Sequence, residues 1–417
     1  MKIERKIHLQ KLIDSKHNGM IKVITGMRRS GKSFLLFNLF KEHLTEYGID
    51  SNHIIELDLE DMHNLKFCNP ANLLEFIDSK ICDNGMHYVL LDEIQRVKGF
   101  EDVLNSYLKK PNIDIYVTGS NSRMLSTDVI TEFRGRGYEI RIRPLGFKEF
   151  ASVFKGTKEE ALREYVLHGG MPQVATMPTS EAKDAYLKSL FVGTYLRDVK
   201  ERYRIQHDAD LSEIVDVLAS GIGTLTNARI LQNTFKTVKH SSISYETIKR
   251  YLDILQDAFI LEKSVRYDIR GRKYIDTPSK YYFEDLGLRN ATLNFRQLDG
   301  GHLMENMIYN ELRLRNYQVD VGVVTHDYKD AGGTSRRANL EVDFVCNQGF
   351  KRYYIQSALN MATEQKMEQE QKSLIRISDN FAKMIIVGGL TPSHVNDNGI
   401  QIVNIFDFLM NDEIPLL

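Results

Sequence analysis

The sequence predicts an α/β protein that opens on a mainly parallel, two-sided sheet and carries a second α/β region at its C-terminal end. Three observations point there. Short apolar runs alternate with amphipathic helical patterns over residues 1–146, and a glycine-rich turn joins the first run to the first long helix. The chain then becomes almost wholly helical before strands return near residue 266. At 417 residues it is too long for one ordinary domain.

The strands expected in the first region are Ile21–Thr25, His53–Leu57, His87–Leu91, Ile113–Thr118 and Tyr138–Ile142. Helical patterns such as SFLLFNLFKEHLTEYG and PANLLEFIDSKICDNG separate them, and Pro70 and Gly85 punctuate the second of these. Residues 147–205 read as helical with a break at HGGMPQ, and residues 206–265 as helix-like stretches with short polar and β-branched runs. Residues 266–417 hold a helix, LMENMIYNELRLR, then the strands YQVDVGVVT, NLEVDFVC and RYYIQSA. A polar helix, KMEQEQKSLIRIS, and a strand, KMIIVGG, follow. The glycine- and arginine-rich stretch Tyr328–Ala338 is expected to be a mobile loop.

Composition narrows the classes. Hydrophobic residues at 42% suffice for packed cores. Lys plus Arg at 55 nearly balances Asp plus Glu at 56, so any attraction to nucleic acid must come from a local surface. No apolar run is long enough to span a membrane, and the start MKIERKIHLQKLID lacks the apolar core of a signal peptide. Cys68, Cys82 and Cys346 have no CxxC spacing, and the twelve histidines form no HxH or HExxH group, so neither disulfides nor a zinc site is expected. A cytoplasmic location and no membrane partner follow as expectations.

The strongest motif is Gly26-Met-Arg-Arg-Ser-Gly31-Lys32-Ser33, a full GxxxxGK[ST] match after the strand IKVIT and before the helix SFLLFNLF. Glycines let the backbone wrap an anion with N–H groups pointing inward, and the helix start adds its positive dipole end. Gly26, Met27, Arg28, Arg29, Ser30, Gly31, Lys32, Ser33 and Phe34 are therefore expected to hold ATP, with Lys32 reaching the β- and γ-phosphates and Ser33 ligating Mg²⁺. The apolar run before Asp92-Glu93 describes a buried strand with two acids at its C-terminal tip, where open parallel sheets bind ligands. Asp92 would hold the Mg²⁺ and Glu93 would act as general base on water. A Glu directly after that Asp marks the ATP-hydrolysing branch with an extra strand between the two motif strands. Either His53–Leu57 or Ile113–Thr118 can supply it. Ser120 or Asn121, after Thr118, resembles a sensor of the γ-phosphate, and an ordinary Ser/Asn turn would look the same. Arg136, in FRGRG, could complete a neighbouring copy's site through self-association, or belong to a solvated arginine pair.

These residues resemble a prokaryotic family of AAA+ P-loop ATPases with a C-terminal domain of unknown function. The matching pieces are TGMRRSGKS, YVLLDEIQ, YVTGSNS, RGRGYEIRIRPLGFKEF and HGGMPQ, then YLDILQDAFIL, KYYFEDLGLRN, HLMENMIYNEL, NLEVDFV and YYIQSA. PLGFKEF, FEDLGLRN and EVDFV are far more specific than the loop. The resemblance implies an AAA+ core over 1–146, a helical lid over 147–205, a winged-helix-like segment over 206–265 and a restriction-endonuclease-like domain over 266–417. It carries over Gly26, Gly31, Lys32 and Ser33 as the phosphate loop, Asp92 and Glu93 as the acidic strand end, and Arg136 as the arginine of a glycine-arginine pair.

Two weaker constellations bear on DNA. Lys249 and Arg250 lie off the apolar face of the helix around ETIKRYLDIL, and Lys263, Arg266, Arg270, Arg272 and Lys273 interleave with Tyr267 and Tyr274, a pattern that suits a phosphate-contacting wing. Glu305, Asp343 and Gln356-Ser-Ala358 stand where restriction-type nucleases hold Mg²⁺, but Gln356 and Ala358 replace the acid and lysine such chemistry needs. The domain therefore reads as nuclease-like without nuclease activity, with Lys351 the nearest lysine to compensate. His168 reads as a turn residue. The first reading is a Mg²⁺-dependent ATPase acting as a nucleotide-driven switch on an unidentified partner. Alternatives are an ATP-regulated DNA-binding protein and, below it, an ATP-dependent nuclease.

Overall fold

The computed structural model describes the chain except residues 1, 120–132, 134, 206–207, 240–242, 330–333, 362 and 417. It divides into two compact units, Met1–Leu145 and Gly146–Leu417.

The first unit is built on β1 (Ile21–Gly26), β2 (Ile54–Asp58), β3 (His87–Asp92), β4 (Ile113–Thr118) and β5 (Gly137–Ile142). All pairings are parallel, in the order β2-β3-β4-β1-β5. The strand between the loop strand and the acidic strand is thus β4, and β2 is an edge. Strand alternation assigns the two faces. Ile55, Leu57, Val89, Leu91, Ile115 and Val117 pack in one core with Leu73, Ile77 and Leu104 of the helices Pro70–Lys80 and Phe100–Tyr107. Ile24, Tyr88, Leu90, Tyr116 and Ile140 pack in the other with Leu12 and with Leu35–Leu44. Lys22, buried near the start of β1, is tolerated because Asp114 of β4 pairs with it.

The second unit begins with the helices Phe147–Ala151, Lys158–His168 and Ser180–Leu190, the last continuing to Tyr203. The helices Asp208–Ser220, Ala228–Thr234 and Tyr245–Asp257 follow. An eight-stranded mixed sheet completes it, from β6 (Leu261–Asp268), β7 (Lys273–Phe283), β8 (Gln318–Lys329), β9 (Ser335–Gln348), β10 (Lys351–Ala358), β11 (Ala382–Val387), β12 (His394–Val395) and β13 (Gln401–Asn404). The boundary drawn at residue 265 falls inside β6, which pairs with both β7 and β8 and so belongs to the sheet.

The expected loop Tyr328–Ala338 is corrected. Tyr328 pairs with Arg336 and Lys329 with Ser335, so the flanks of the expected loop are strand and extend the β8–β9 ladder, while residues 330–333 lie outside the described residues. Arg337 pairs with Asp327 across it at 3.0 Å.

The specific motifs HGGMP and FEDLGLRN lock onto each other. Asp285 accepts from Leu288 N at 2.9 Å, capping the helix Leu286–Thr292, and from Gly170 N at 2.7 Å. Asn290 donates to the carbonyls of Val166 and Leu167 at 2.9 and 2.8 Å, satisfying the end of the helix Lys158–His168. His168 is fully buried between Glu164 at 2.8 Å and Asp184 at 3.0 Å, a structural role.

Candidate nucleotide site

The phosphate loop leaves β1 at the C-terminal edge of the first unit's sheet. Gly26 has φ +138° there, and a Cβ would lie 2.1 Å from the Ile142 carbonyl oxygen of β5, so only glycine fits. Arg29 at φ +61° and Gly31 at φ +97° turn the loop into the helical segment that begins at Lys32 and continues to Glu46. Ser30 Oγ donates to Met27 O at 2.8 Å within the loop. From outside, Arg5 donates to the Ser30 carbonyl at 2.9 Å and to the Arg143 carbonyl at 2.5 Å, tying the loop to the end of β5. Buried His8 sits against Arg5, and burial together with that guanidinium holds its pKa well below the usual value, so it stays neutral.

Lys32 Nζ is almost wholly buried and donates to the carbonyls of Gly26 at 3.1 Å and Met27 at 2.9 Å. Burial lowers its pKa, while Glu93 and Asp92 act in the opposite sense. Asp92, at the tip of β3, is buried and is hydrogen-bonded by the hydroxyls of Ser33 and Thr118. Burial pushes its pKa up, and the neighbouring carboxylates Glu93 and Asp58 add to that. A cation beside it would relieve this penalty, and the oxygen donors of Ser33 and Asp92 are the set a hard divalent ion takes. The residues therefore fit both a phosphate chain and Mg²⁺.

Glu93 follows with φ +53°, a left-handed conformation that a glutamate adopts only when its surroundings enforce it. Its N–H donates to Thr118 Oγ1 at 3.0 Å, and its carboxylate accepts from Gln95. Thr118, fully buried at the tip of β4, thus holds both acids at once. Sequence reasoning placed the polar contact after Thr118, at Ser120 or Asn121, which lie outside the described residues. It passed over Arg5 as part of a charged start. The signal for Thr118 was present, since a hydroxyl at the end of the strand beside the acidic one can reach it; for Arg5 there was none.

Arg136 is not brought to this site within its own chain. Its carbonyl accepts from Ile21 N at 2.9 Å, at the N-terminal edge of β1, the opposite edge from the loop, and its side chain is exposed. In the second unit, Glu305 and Asp343 do meet, both buried. The cation between them is Lys280 of β7, at 2.8 Å from Glu305, 2.7 Å from Glu341 and 3.5 Å from Asp343. Tyr282 donates to Glu305 at 2.6 Å. Lys351, the nearest lysine to Gln356 in the sequence, does not supply such a charge: it is exposed beside Glu413 at 3.7 Å, because it starts β10 at the end remote from Gln356.

A parallel sheet of this strand order, with the phosphate loop after β1 and the acidic pair at the end of β3, defines an AAA-type P-loop domain. In agreement, residues 18–151 match the family described as "AAA domain". Residues 159–299 and 300–408 match two domains of unknown function, DUF8612 and DUF4143. An uncharacterized protein of Haemophilus influenzae is 33% identical over 414 residues, covering 98% of each chain, and this chain belongs to the same family. An uncharacterized protein of Methanocaldococcus jannaschii is 27% identical over 361 residues, covering 82% of this chain and 74% of that one. Among solved structures, the Walker-type ATPase paby2304 of Pyrococcus abyssi shares the fold, with a TM-score of 0.51 at 16% identity over 70% of this chain and 96% of that one. No helix among the described residues is long and apolar enough to cross a membrane.

Proposed function

We propose that the first unit binds and hydrolyses ATP with Mg²⁺, and that the protein is a nucleotide-driven switch acting on another macromolecule. The observation that carries this is the convergence of Lys32, Ser33, Asp92 and Glu93 on one sheet edge, with Thr118 bridging the two acids. Ser33 and Asp92 would hold Mg²⁺, which supplies charge neutralisation on the phosphates. Lys32 would leave the Gly26 and Met27 carbonyls for phosphate oxygens. Glu93, held by Gln95 and by its own N–H on Thr118, would orient water and take its proton. Arg136, exposed and remote from its own loop, suits a neighbouring copy's site. Calorimetry tests the assignment: Mg²⁺–ATP should bind the wild type, and Lys32→Ala should abolish binding. Wild-type affinity in that variant would place the site elsewhere.

A second reading concerns DNA. The helices Asp208–Ser220, Ala228–Thr234 and Tyr245–Asp257, the bridge Thr226–Ser279 and the β6–β7 hairpin follow one another as in a winged helix. Lys249, Arg270, Arg272 and Lys273 are exposed on it. This favours weak phosphate contact from the hairpin tip. The nuclease-like reading of the sheet beside it remains one without cleavage, because Lys280 neutralises the carboxylates internally. Supercoiled plasmid should therefore be shifted at low salt, released as salt rises, and left uncut with Mg²⁺. Nicking that disappeared in Asp343→Ala would overturn the latter point, and no salt-sensitive shift would remove the DNA reading.

A further inference from the structure

At the sheet edge opposite the phosphate loop, four side chains of mixed chemistry converge. His53 leads into β2 and His87 begins the adjacent β3, so strand pairing sets their rings side by side, with centroids 4.6 Å apart. Cys82 and Asp83 arrive from the connector between the helix Pro70–Lys80 and β3. One donor atom from each of these four residues lies within 4.8 Å of all the others. His53 Nε2 is 3.0 Å from Asp83 Oδ1, and Cys82 Sγ is 3.5 Å from His87 Nε2. For bonds of about 2.0–2.3 Å, tetrahedral zinc ligands sit roughly 3.3–3.8 Å apart, so small side-chain shifts suffice.

The surroundings are arranged for this. His87 is fully buried, and its Nδ1–H donates to the Gly85 carbonyl at 2.8 Å, which fixes the tautomer with a lone pair on Nε2. That lone pair meets only the Cys82 N–H at 3.2 Å and the thiol. Gly85 keeps the approach close: a Cβ there would lie 2.9 Å from both His53 Nε2 and Asp83 Oδ1 and would push these side chains apart. Cys82 and Asp83 are exposed, which leaves a path for an ion to enter.

We propose that His53 Nε2, Cys82 Sγ, Asp83 and His87 Nε2 bind one zinc ion. A thiolate and two imidazoles select a borderline-soft ion over Mg²⁺, and four protein ligands make a closed, structural site. Binding releases the thiol proton, and the hydrogen that His53 Nε2 shares with Asp83 moves to Nδ1, which frees Nε2 as a ligand. The ion staples the helix-to-β3 connector to the starts of β2 and β3. The elements that build the site owe nothing to the phosphate loop, on the opposite edge.

The test is titration of chelator-treated, nucleotide-free protein with Co²⁺ as a spectroscopic stand-in, in wild type and in Lys32→Ala. One equivalent should bind in both, with a thiolate-to-cobalt charge-transfer band, and Zn²⁺ should displace it. Cys82→Ser should abolish the band. His53→Asn and Asp83→Asn, at partly exposed positions that leave the core intact, should each weaken binding by about tenfold or more. Zn²⁺ should also slow alkylation of Cys82, read by peptide mass, and raise the melting temperature of the wild type but not of Cys82→Ser. No band in the wild type, a band surviving in Cys82→Ser, or alkylation indifferent to Zn²⁺ would overturn the proposal. Because Lys32→Ala keeps the four ligands, the outcome is separate from that of the nucleotide reading.

Discussion

Thr118 carries two hydrogen bonds that matter to the nucleotide site, donating to Asp92 and accepting from the Glu93 backbone. Thr118→Val preserves shape and removes both. A buried N–H left without an acceptor costs about 1–3 kcal/mol. Spent on the placement of Glu93, that is a fall in kcat of roughly ten- to a hundredfold with a much smaller change in nucleotide affinity. Steady-state phosphate release beside a binding isotherm separates the two, and an unchanged kcat would contradict the positioning role. The loop residues and the acidic pair were legible in the sequence because their chemistry is contiguous. Arg5 and Lys280 were not, because each acts on residues far away in the chain, and the signal for Thr118 was read one or two residues too late. The lysine sought near Gln356 came instead from β7, whose strand character the Pro278 in KYIDTPSKYYF conceals.

Among elements, all five strands of the first unit were legible from alternation and length, as were β8 and β9 up to the stretch where their ladder runs on to Lys329 and Ser335. A glycine- and arginine-rich composition signals a loop locally, while the ladder that overrides it is a tertiary fact. The motif pair HGGMP and FEDLGLRN stood out as specific without revealing its purpose, which is to join two helix ends. Asp285 is its centre. Burial pushes its carboxyl from 3.8 up to about 6, against the pull of its backbone N–H donors. The folded state therefore holds the proton more tightly than the unfolded one. The stabilisation is fully present below pH 3.8 and declines as pH rises through about 6. Asp285→Ala strips the acceptor from Gly170 and Leu288, a loss of about 3 kcal/mol below pH 3.8 that shrinks as pH rises through about 6. Urea unfolding of both proteins across that range measures it, and a pH-independent gap would show that folding leaves the carboxyl's pKa unchanged.

For the whole molecule, two compact units are distinct: one is the P-loop sheet that would carry the proposed nucleotide chemistry, and the other a set of interlocked helices on an eight-stranded sheet. The near-neutral total charge leaves any nucleic-acid contact to the exposed cations of the β6–β7 hairpin, so binding to DNA should be weak and salt-sensitive. The proposed function rests on ATP turnover at the C-terminal edge of β1 and β3, with Glu93 activating water. Single-turnover hydrolysis of pre-bound Mg²⁺–ATP by the full chain, wild type against Glu93→Gln, tests this most directly. Glu93→Gln keeps Lys32, Ser33 and Asp92, so it should bind nucleotide as tightly as the wild type and hydrolyse it about 10²–10⁴-fold more slowly. Hydrolysis at the wild-type rate in that variant would contradict the account.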